Sequence, residues 1–242
     1  MKMSNSSLVS YKKLSPNCNK PRNHVIDTIT IHHMAGNLSV ETCGNIFARS
    51  SRQASSNYGI DSNGRVGLYV DEANRSWCSG NRANDHRAVT IEVANDQIGG
   101  NWHVSDKALA KLIDLCVDIC KRNGIKKLNY TGDKTGNLTM HKWFQATTCP
   151  GPYLESKFPY IAEQVNKRLN AAVQKSGIGK GDIVSIASNA TYYNGKKIPS
   201  WVKKKKWIVS QVSGDRAVIN KSADGKNAIN SPINVKYLNE TL

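Results

Sequence analysis

The stretch from Met140 to Gly151 holds the residues best suited to chemistry in this sequence of 242 residues. His141 and Cys149 stand eight positions apart in it, and Pro150-Gly151 predicts a turn directly after the cysteine. Imidazole nitrogen and cysteine thiolate are both ligands that zinc binds readily. The spacing therefore makes this stretch a candidate for two ligands of one metal ion.

A third ligand is available upstream, where the apolar run at residues 29–31 is followed by His32 and His33. Adjacent residues of a strand face opposite sides, so one of the two can be the ligand, and alternation does not say which. Two imidazoles and one thiolate leave a fourth position open, as in catalytic zinc sites. We therefore predict a zinc site that hydrolyses an amide rather than a closed structural site.

Such a site needs a proton carrier, and Glu92 is the candidate because it interrupts the apolar run at residues 88–94. A buried carboxylate without a partner is costly, whereas beside a metal it would have a partner and a role as general base and then acid. The alternative is that Glu92 points outward, since it shares a strand face with Thr90 and Ala94.

Thr147 is a second candidate, because a hydroxyl two residues before Cys149 could stabilise the oxyanion of a tetrahedral intermediate. The alternative, which the sequence alone favours, is a turn residue that bonds the local backbone. His86 and His103 are expected in solvated loops. The pair Cys116 and Cys120 fits the buried face of a helix better than half of a metal site.

The elements that would position these residues alternate between strands and helices. The patterns predict strands at 24–32 and 88–94, a hairpin at 58–70 turning at Asn63-Gly64, a strand leading to His141, and helices at 40–50, from Ser105 to Asn123-Gly124, and at 159–173. Residues 1–22 and 71–87 are predicted to be irregular. The expected fold class is α/β, with a mixed central sheet flanked by helices.

The pattern changes at residues 174–180, which are polar and rich in glycine. Beyond them the helical periodicity ends, and short apolar runs at 183–186, 207–209, 216–219 and 233–235 are separated by turn residues. This spacing predicts a small all-β barrel. The sequence thus predicts a catalytic domain at 1–173, a linker at 174–180 and a small domain at 181–242.

The formal net charge of +16 favours a polyanionic partner, either nucleic acid or an anionic cell wall. The basic residues are dispersed and form no nucleic-acid motif, so nucleic acid is not expected. The chain has no apolar stretch of the roughly 20 residues that a membrane helix needs, and its first residues lack the apolar run of a signal peptide. We expect synthesis in a cytoplasm, no membrane insertion and no disulfide framework.

Three segments in order, at residues 29–33, 88–92 and 141–151, resemble the zinc-dependent N-acetylmuramoyl-L-alanine amidases, which share their fold with peptidoglycan recognition proteins. The resemblance covers roughly residues 20–170. It implies that His32 rather than His33 is a zinc ligand together with His141 and Cys149, and that Glu92 is the catalytic residue. It also implies cleavage of the amide between N-acetylmuramic acid and L-alanine of the stem peptide.

The sequence departs from one branch of that family at two positions. Ser56 stands where that branch has a tyrosine, and Thr147 stands where it has a lysine. The resemblance therefore implies that proton transfer rests on Glu92. An alignment shifted by one or two residues would bring Tyr58 back as a candidate.

Residues 181–242 resemble a bacterial SH3-type wall-binding domain, and residues 192–201 resemble a segment of phage lysin modules. The aromatic faces of Tyr193 and Trp201 suit sugar rings or peptide, whereas Trp207 is expected in the core. The lysines at 203–206 are expected in a solvated loop that attracts anionic wall polymers weakly.

An amidase with a wall-binding module and no export signal resembles a phage endolysin of a Gram-positive host. Such a protein would wait in the host cytoplasm until the membrane is breached, and then act on peptidoglycan. The alternatives are a bacterial autolysin with the same activity and a non-catalytic peptidoglycan-binding protein.

Overall fold

The computed structural model describes residues 5–175 and 178–241. Contacts divide the chain into two compact units, Met1–Leu169 and Asn170–Leu242. Of the predicted linker, residues 174 and 175 belong to a helix, whereas residues 176 and 177 lie outside the described part. Among the described helices, none combines the length and the apolar character needed to cross a bilayer.

The first part of the chain alternates strands with helices. Its strands are β1 (Val9–Lys12), β2 (Cys18–Asn19), β3 (Thr28–His33), β4 (Tyr58–Ile60), β5 (Val66–Leu68), β6 (Arg75–Ser76), β7 (Ala88–Val93) and β8 (Leu138–Met140). Its helices are α1 (Val40–Phe47), α2 (Arg82–Arg87), α3 (Asp106–Asn123) and α4 (Pro152–Lys175).

Six of these strands form one mixed sheet in the order β1-β5-β4-β7-β3-β8. Strand β3 runs parallel to both β7 and β8, β4 runs parallel to β7, and β4 and β5 are antiparallel. Every residue of β3 is buried, as expected of a central strand covered on both faces. The predicted α/β architecture with a mixed central sheet is confirmed.

Helices α1 and α3 begin where the sequence predicts. The Ser39 hydroxyl accepts from the Thr42 amide, and the Ser105 hydroxyl accepts from the Ala108 amide, so each serine satisfies a free N–H of the first turn. Gly124 ends α3 in the left-handed conformation, with φ at +72°. Helix α1 ends at Phe47, three residues before the predicted end.

The β4–β5 hairpin is present, but its turn differs from the predicted two-residue Asn-Gly turn. Gly64 has a φ of +80°, whereas Asn63 is not among the residues with positive φ. The Asp61 carboxylate accepts from the Asn63 and Arg65 amides, and the Asp61 amide donates to the Arg65 carbonyl. An aspartate-capped loop therefore closes the hairpin, because the side chain replaces backbone turn bonds.

Helix α4 begins at Pro152, seven residues before the predicted start, and Pro159 lies inside it. Proline is well suited to a first helical position, where its missing N–H costs nothing. At Pro159 one helical hydrogen bond is lost, but the buried side chains of Leu154, Phe158 and Ile161 hold both sides of it against the core. The prediction was wrong because it treated Pro159 as the helix start.

Residues 5–22 and 71–87 are more ordered than predicted, whereas residues 1–4 of the predicted irregular stretch lie outside the described part. Strand β1 extends the sheet by pairing with β5, and β2 pairs with β6 in a separate ribbon. Helix α2 begins after Asn81, whose side chain accepts from the Asn84 amide. These elements are short and are held mainly by backbone pairing and side-chain caps, so they leave no apolar periodicity in the sequence.

The second unit contains an antiparallel sheet in the order β12-β11-β10-β9-β13. Its elements are β9 (Ile183–Ile186), α5 (Ser200–Lys203), β10 (Trp207–Ser213), β11 (Arg216–Ser222), β12 (Ala228–Asn234) and β13 (Leu238–Glu240). Trp207 is fully buried at its centre, as predicted. The C-terminal part is therefore an all-β sheet, and its closure into an SH3-type barrel stays a prediction.

Candidate metal centre

Three neighbouring parallel strands deliver one candidate residue each to the same edge of the sheet. The register of β3 and β7 sets His32 beside Glu92. Strand β8 pairs Met140 with Ile31, so His141 follows at the corresponding end of the next strand. The carboxyl ends of parallel strands meet at one edge, which is why residues distant in sequence converge there.

The loop after β8 folds back to bring Cys149 to this edge. The Lys142 amide donates to the Cys149 carbonyl at 3.0 Å, which closes the loop at its two ends. The His33 amide lies 3.4 Å from the Cys149 sulfur. Gly151 then turns the chain with a φ of +83°, close to the His33 ring, where a side chain would be strained.

His32, His141 and Cys149 each offer a ligand atom, and these atoms all lie within 4.8 Å of one another. Two ligands of one zinc ion are at most about 4.6 Å apart, given bond lengths of roughly 2.0–2.3 Å. His32 and Cys149 are buried and His141 is partly exposed, so the group opens to solvent on one side. The set has the composition of an open zinc site, and its ligand atoms are clustered at nearly the separation that one zinc ion allows.

The electrostatics of these side chains fit a cation. Burial, together with the neighbouring His141 and His33, lowers the pKa of His32 well below its usual value, which keeps the imidazole neutral and able to bind a metal. The Nε2 atom of His32 is buried without a hydrogen-bond partner. Burial and the Glu92 carboxyl raise the pKa of the Cys149 thiol, so a cation would be needed to hold its thiolate.

Glu92 lies at the site rather than in solvent. Its Oε2 atom is buried without a hydrogen-bond partner, and its Oε1 atom lies 3.9 Å from the Cys78 sulfur. Burial raises the pKa of Glu92 to about 8, and Arg52 opposes that rise. Ligand atoms of His32, Cys78 and Glu92 also lie within 4.8 Å of one another.

Cys78 was missed by the sequence reasoning. It follows β6 in a segment without periodicity, and its spacing to other candidate residues forms no pattern.

A cavity of about 360 Å³ opens over the site. Its polar lining includes His33, Glu92, His141 and Thr147, and α1 contributes the apolar side chains of Ile46 and Phe47. A second cavity, of about 510 Å³, has a lining that includes Arg75, Trp77, Cys78, Arg82 and Gln145. Cys78, which touches Glu92, lines this second cavity, so the two cavities adjoin the same cluster of side chains.

A family model described as N-acetylmuramoyl-L-alanine amidase matches residues 22–152, which is more than half of the chain. The chain belongs to this amidase family. The matched segment contains all four residues that meet at the sheet edge, namely His32, Glu92, His141 and Cys149. No curated protein sequence matches the chain.

Solved structures show the same fold for this amidase at low sequence identity. A structure of PlyL is 17% identical, covers 64% of this chain and 95% of its own, and has a TM-score of 0.52. The catalytic domain of XlyA is 15% identical, covers 64% and 97%, and has a TM-score of 0.52. The Staphylococcus aureus hydrolase AmiA in complex with its ligand is 15% identical, covers 72% and 96%, and has a TM-score of 0.55.

The two other candidate site residues of this amidase, Thr147 and Tyr58, each have hydrogen-bond partners of their own. Thr147 lines the cavity, but its hydroxyl accepts from the Cys149 amide at 3.2 Å, which is the local backbone role that the sequence favoured. Tyr58 is buried and donates to the Glu72 carboxylate at 2.6 Å while accepting from the Ser6 amide. Tyr58 is thus engaged in a separate network and does not line the cavity over Glu92.

The positions of His86, His103 and the cysteine pair can be compared directly with those that the sequence predicts. His86 was expected in a solvated loop, which was wrong, because it is buried on α2 and its Nδ1 accepts from the Asn23 amide. His103 is partly exposed and lies 2.7 Å from the Asp96 carboxylate. Cys116 and Cys120 are buried on α3 within the main core, as predicted.

Proposed function

We propose that this amidase is a zinc-dependent peptidoglycan hydrolase that cleaves the amide between N-acetylmuramic acid and L-alanine. The observation that carries the proposal is the meeting of His32, His141 and Cys149 with Glu92 at one sheet edge, inside the segment that matches the amidase family. The products are the lactyl carboxylate of the sugar and the free amine of alanine.

His32, His141 and Cys149 would hold the zinc ion. When bound, zinc polarises the scissile carbonyl and acidifies water, which an unreactive amide requires. Glu92 takes a proton from the attacking water and returns it to the leaving nitrogen of alanine. Burial raises the pKa of the Glu92 carboxyl, and a nearby cation would lower it again toward neutral pH, the range that suits both halves of this transfer.

The second unit is proposed to bind the cell wall, in keeping with its resemblance to SH3-type modules. Tyr193 and Trp201 are each nearly half exposed, at 45% and 48%, so their faces are available to sugar or peptide. The Tyr193 hydroxyl donates to the Asp215 carboxylate at 2.8 Å, which fixes the ring while leaving its face open. Exposed lysines at 204 and 206 would add weak attraction to anionic wall polymers.

We further propose that the protein is a phage endolysin of a Gram-positive host, with domains at 1–173 and 181–242 joined by a linker at 174–180. A non-catalytic peptidoglycan-binding protein is the weaker candidate. Recognition alone needs no metal, yet three ligands converge at this edge with a carboxyl whose Oε2 atom is buried without a partner.

Digestion of purified Gram-positive peptidoglycan tests the proposal. We expect new N-terminal alanine without new reducing sugar ends, about one zinc per chain, loss of activity on chelation and its return with added zinc. Cys149→Ser is expected to lose both zinc and cleavage. New reducing ends would identify a glycosidase instead, and chelator-resistant release of alanine would retain the amidase but reject zinc.

A further inference from the structure

The segment after β8 brings a second side chain to His141. The Phe144 and Gln145 amides both lie within hydrogen-bonding distance of the His141 carbonyl, at 2.9 and 3.3 Å. This turn sets Gln145 four residues after His141, a spacing at which side chains lie on the same face of a helical turn. Gln145 is therefore held beside the imidazole by the local backbone.

The two side chains form a hydrogen bond with a fixed direction. The Oε1 atom of Gln145 lies 3.1 Å from Nε2 of His141. An amide oxygen has no hydrogen to donate, so the imidazole must carry its hydrogen on Nε2. In a neutral imidazole this leaves the lone pair on Nδ1, which is then the nitrogen able to bind a metal.

Gln145 is exposed, and the loop at residues 79–81 approaches it from the other side. A Cβ atom on Gly80 would lie 2.5 Å from Oε1 and 2.8 Å from Cδ of Gln145, so the loop backbone closely approaches the end of this side chain. Gly80 also has a φ of +67°, which favours glycine.

The loop itself is fixed by Asp85. The Cys78 and Ser79 amides donate to the Asp85 carboxylate, and the Ser79 hydroxyl donates to it at 2.7 Å. Gln145 thus lies between a helical turn on one side and a braced glycine loop on the other.

We propose that Gln145 is a positioning residue that keeps His141 in the Nε2–H tautomer and so presents Nδ1 to the metal. This inference rests on the proposed zinc site. Outer partners of this kind orient metal-binding histidines, and their loss typically lowers metal affinity by about 10–100-fold.

Two substitutions separate hydrogen bonding from packing. Gln145→Met keeps the length of the side chain and removes the acceptor, whereas Gln145→Glu keeps an acceptor oxygen. Gln53→Met is the matched control, because Gln53 lines the same second cavity but its side chain donates to the Ser50 carbonyl rather than contacting His141. The full-length chain is used throughout.

Two readouts are needed, neither of which is catalysis. Nitrogen NMR of the metal-free protein at alkaline pH reports the His141 tautomer, and competition with a chromophoric chelator reports zinc affinity. We expect the Nε2–H form in the native protein and in Gln145→Glu, and a mixture of tautomers in Gln145→Met. Zinc affinity should fall about 10–100-fold in Gln145→Met and stay within a few-fold in Gln145→Glu and Gln53→Met.

Unchanged tautomer and affinity in Gln145→Met would overturn the proposal. Equal losses in Gln145→Met and Gln145→Glu would also overturn it, because they would indicate packing rather than acceptance of a hydrogen bond. A native protein that shows the Nε2–H form yet binds no zinc would reject the zinc site, while leaving the hydrogen bond from His141 to Gln145 established.

Discussion

Burial shifts three side chains at the sheet edge, His32, Glu92 and Cys149, toward their neutral forms. The pKa of His32 falls, whereas those of Glu92 and Cys149 rise, and desolvation is the largest cause in each case. A cluster with unpartnered atoms on His32 and Glu92 is costly to maintain unless a ligand binds there. A divalent cation would offset that cost by holding the thiolate of Cys149 and the imidazole nitrogens.

Replacing Glu92 with glutamine tests its role in proton transfer. Glu92→Gln keeps the size of the side chain and removes the titrating carboxyl, so we expect unchanged zinc content and a loss of about 10²–10⁴ in kcat. Metal analysis and turnover of a soluble muropeptide measure the two effects. Glu163→Gln, an exposed carboxyl on α4, is the control and should leave both unchanged.

Near-normal turnover in Glu92→Gln would instead make Glu92 a partly buried residue without a catalytic role. Loss of zinc together with turnover would show that its carboxyl supports the metal.

The sequence identified part of this site because some of its signals are local. A buried strand followed by histidine, and a histidine and cysteine eight apart before Pro-Gly, can be recognised without knowing the fold. Alternation could not choose between His32 and His33, since a strand does not reveal which face carries the site. Cys78 and Gln145 reach the site only through loop packing, which leaves no periodic pattern in the sequence.

Among the helices and strands, those with the clearest periodic pattern of buried apolar residues were predicted best. Helix α3 was predicted well because its apolar stripe, Ser105 cap and Gly124 end agree with one another. Strand β1 and helix α2 were missed because backbone pairing and side-chain caps hold them. In helix α4 the local signal was misleading, because packing of the buried face outweighs the helix-breaking effect of Pro159.

Ser105 links the start of α3 to the hairpin loop, and its loss should destabilise the amidase unit. Its hydroxyl accepts from the Ala108 amide and donates to the Ser62 carbonyl at 2.6 Å. Ser105→Ala should therefore lower the free energy of unfolding by about 1–2 kcal/mol. Urea unfolding, monitored by the loss of muropeptide turnover, reports the stability of the amidase unit without a signal from the second unit.

Ser62→Ala is the matched control for this change, because it keeps the carbonyl that Ser105 contacts. We expect it to shift the free energy of unfolding by no more than about 0.5 kcal/mol. If both variants lost the same stability, the loop rather than the helix cap would be responsible.

At the scale of the whole molecule, the apolar cores are separate. The buried side chains of the main core lie between Ile26 and Leu169, whereas those of the C-terminal core lie between Val184 and Leu238. A domain with its own core can in principle fold alone. The chemistry at His32, Glu92, His141 and Cys149 belongs entirely to the first unit.

Removal of the second unit should therefore separate wall binding from catalysis. For a chain that ends at Lys175, we expect kcat/KM on a soluble muropeptide to stay within about twofold, because the site and its core are retained. Binding to purified walls, measured by co-sedimentation, should fall at least about tenfold, since two linked binding surfaces bind more tightly than one. Full-length Trp201→Ala should weaken wall binding in the same direction and spare muropeptide turnover.

The opposite outcomes are equally informative. A truncated chain that still binds walls as the full chain does would assign wall recognition to the cavity and surface of the amidase unit. Loss of muropeptide turnover with retained circular dichroism would show that the second unit contributes to the site. If the truncated chain unfolds, the full-length variant Trp201→Ala still tests the proposed wall-binding surface. Wall binding by this variant equal to that of the native protein would show that the exposed face of Trp201 is not part of that surface.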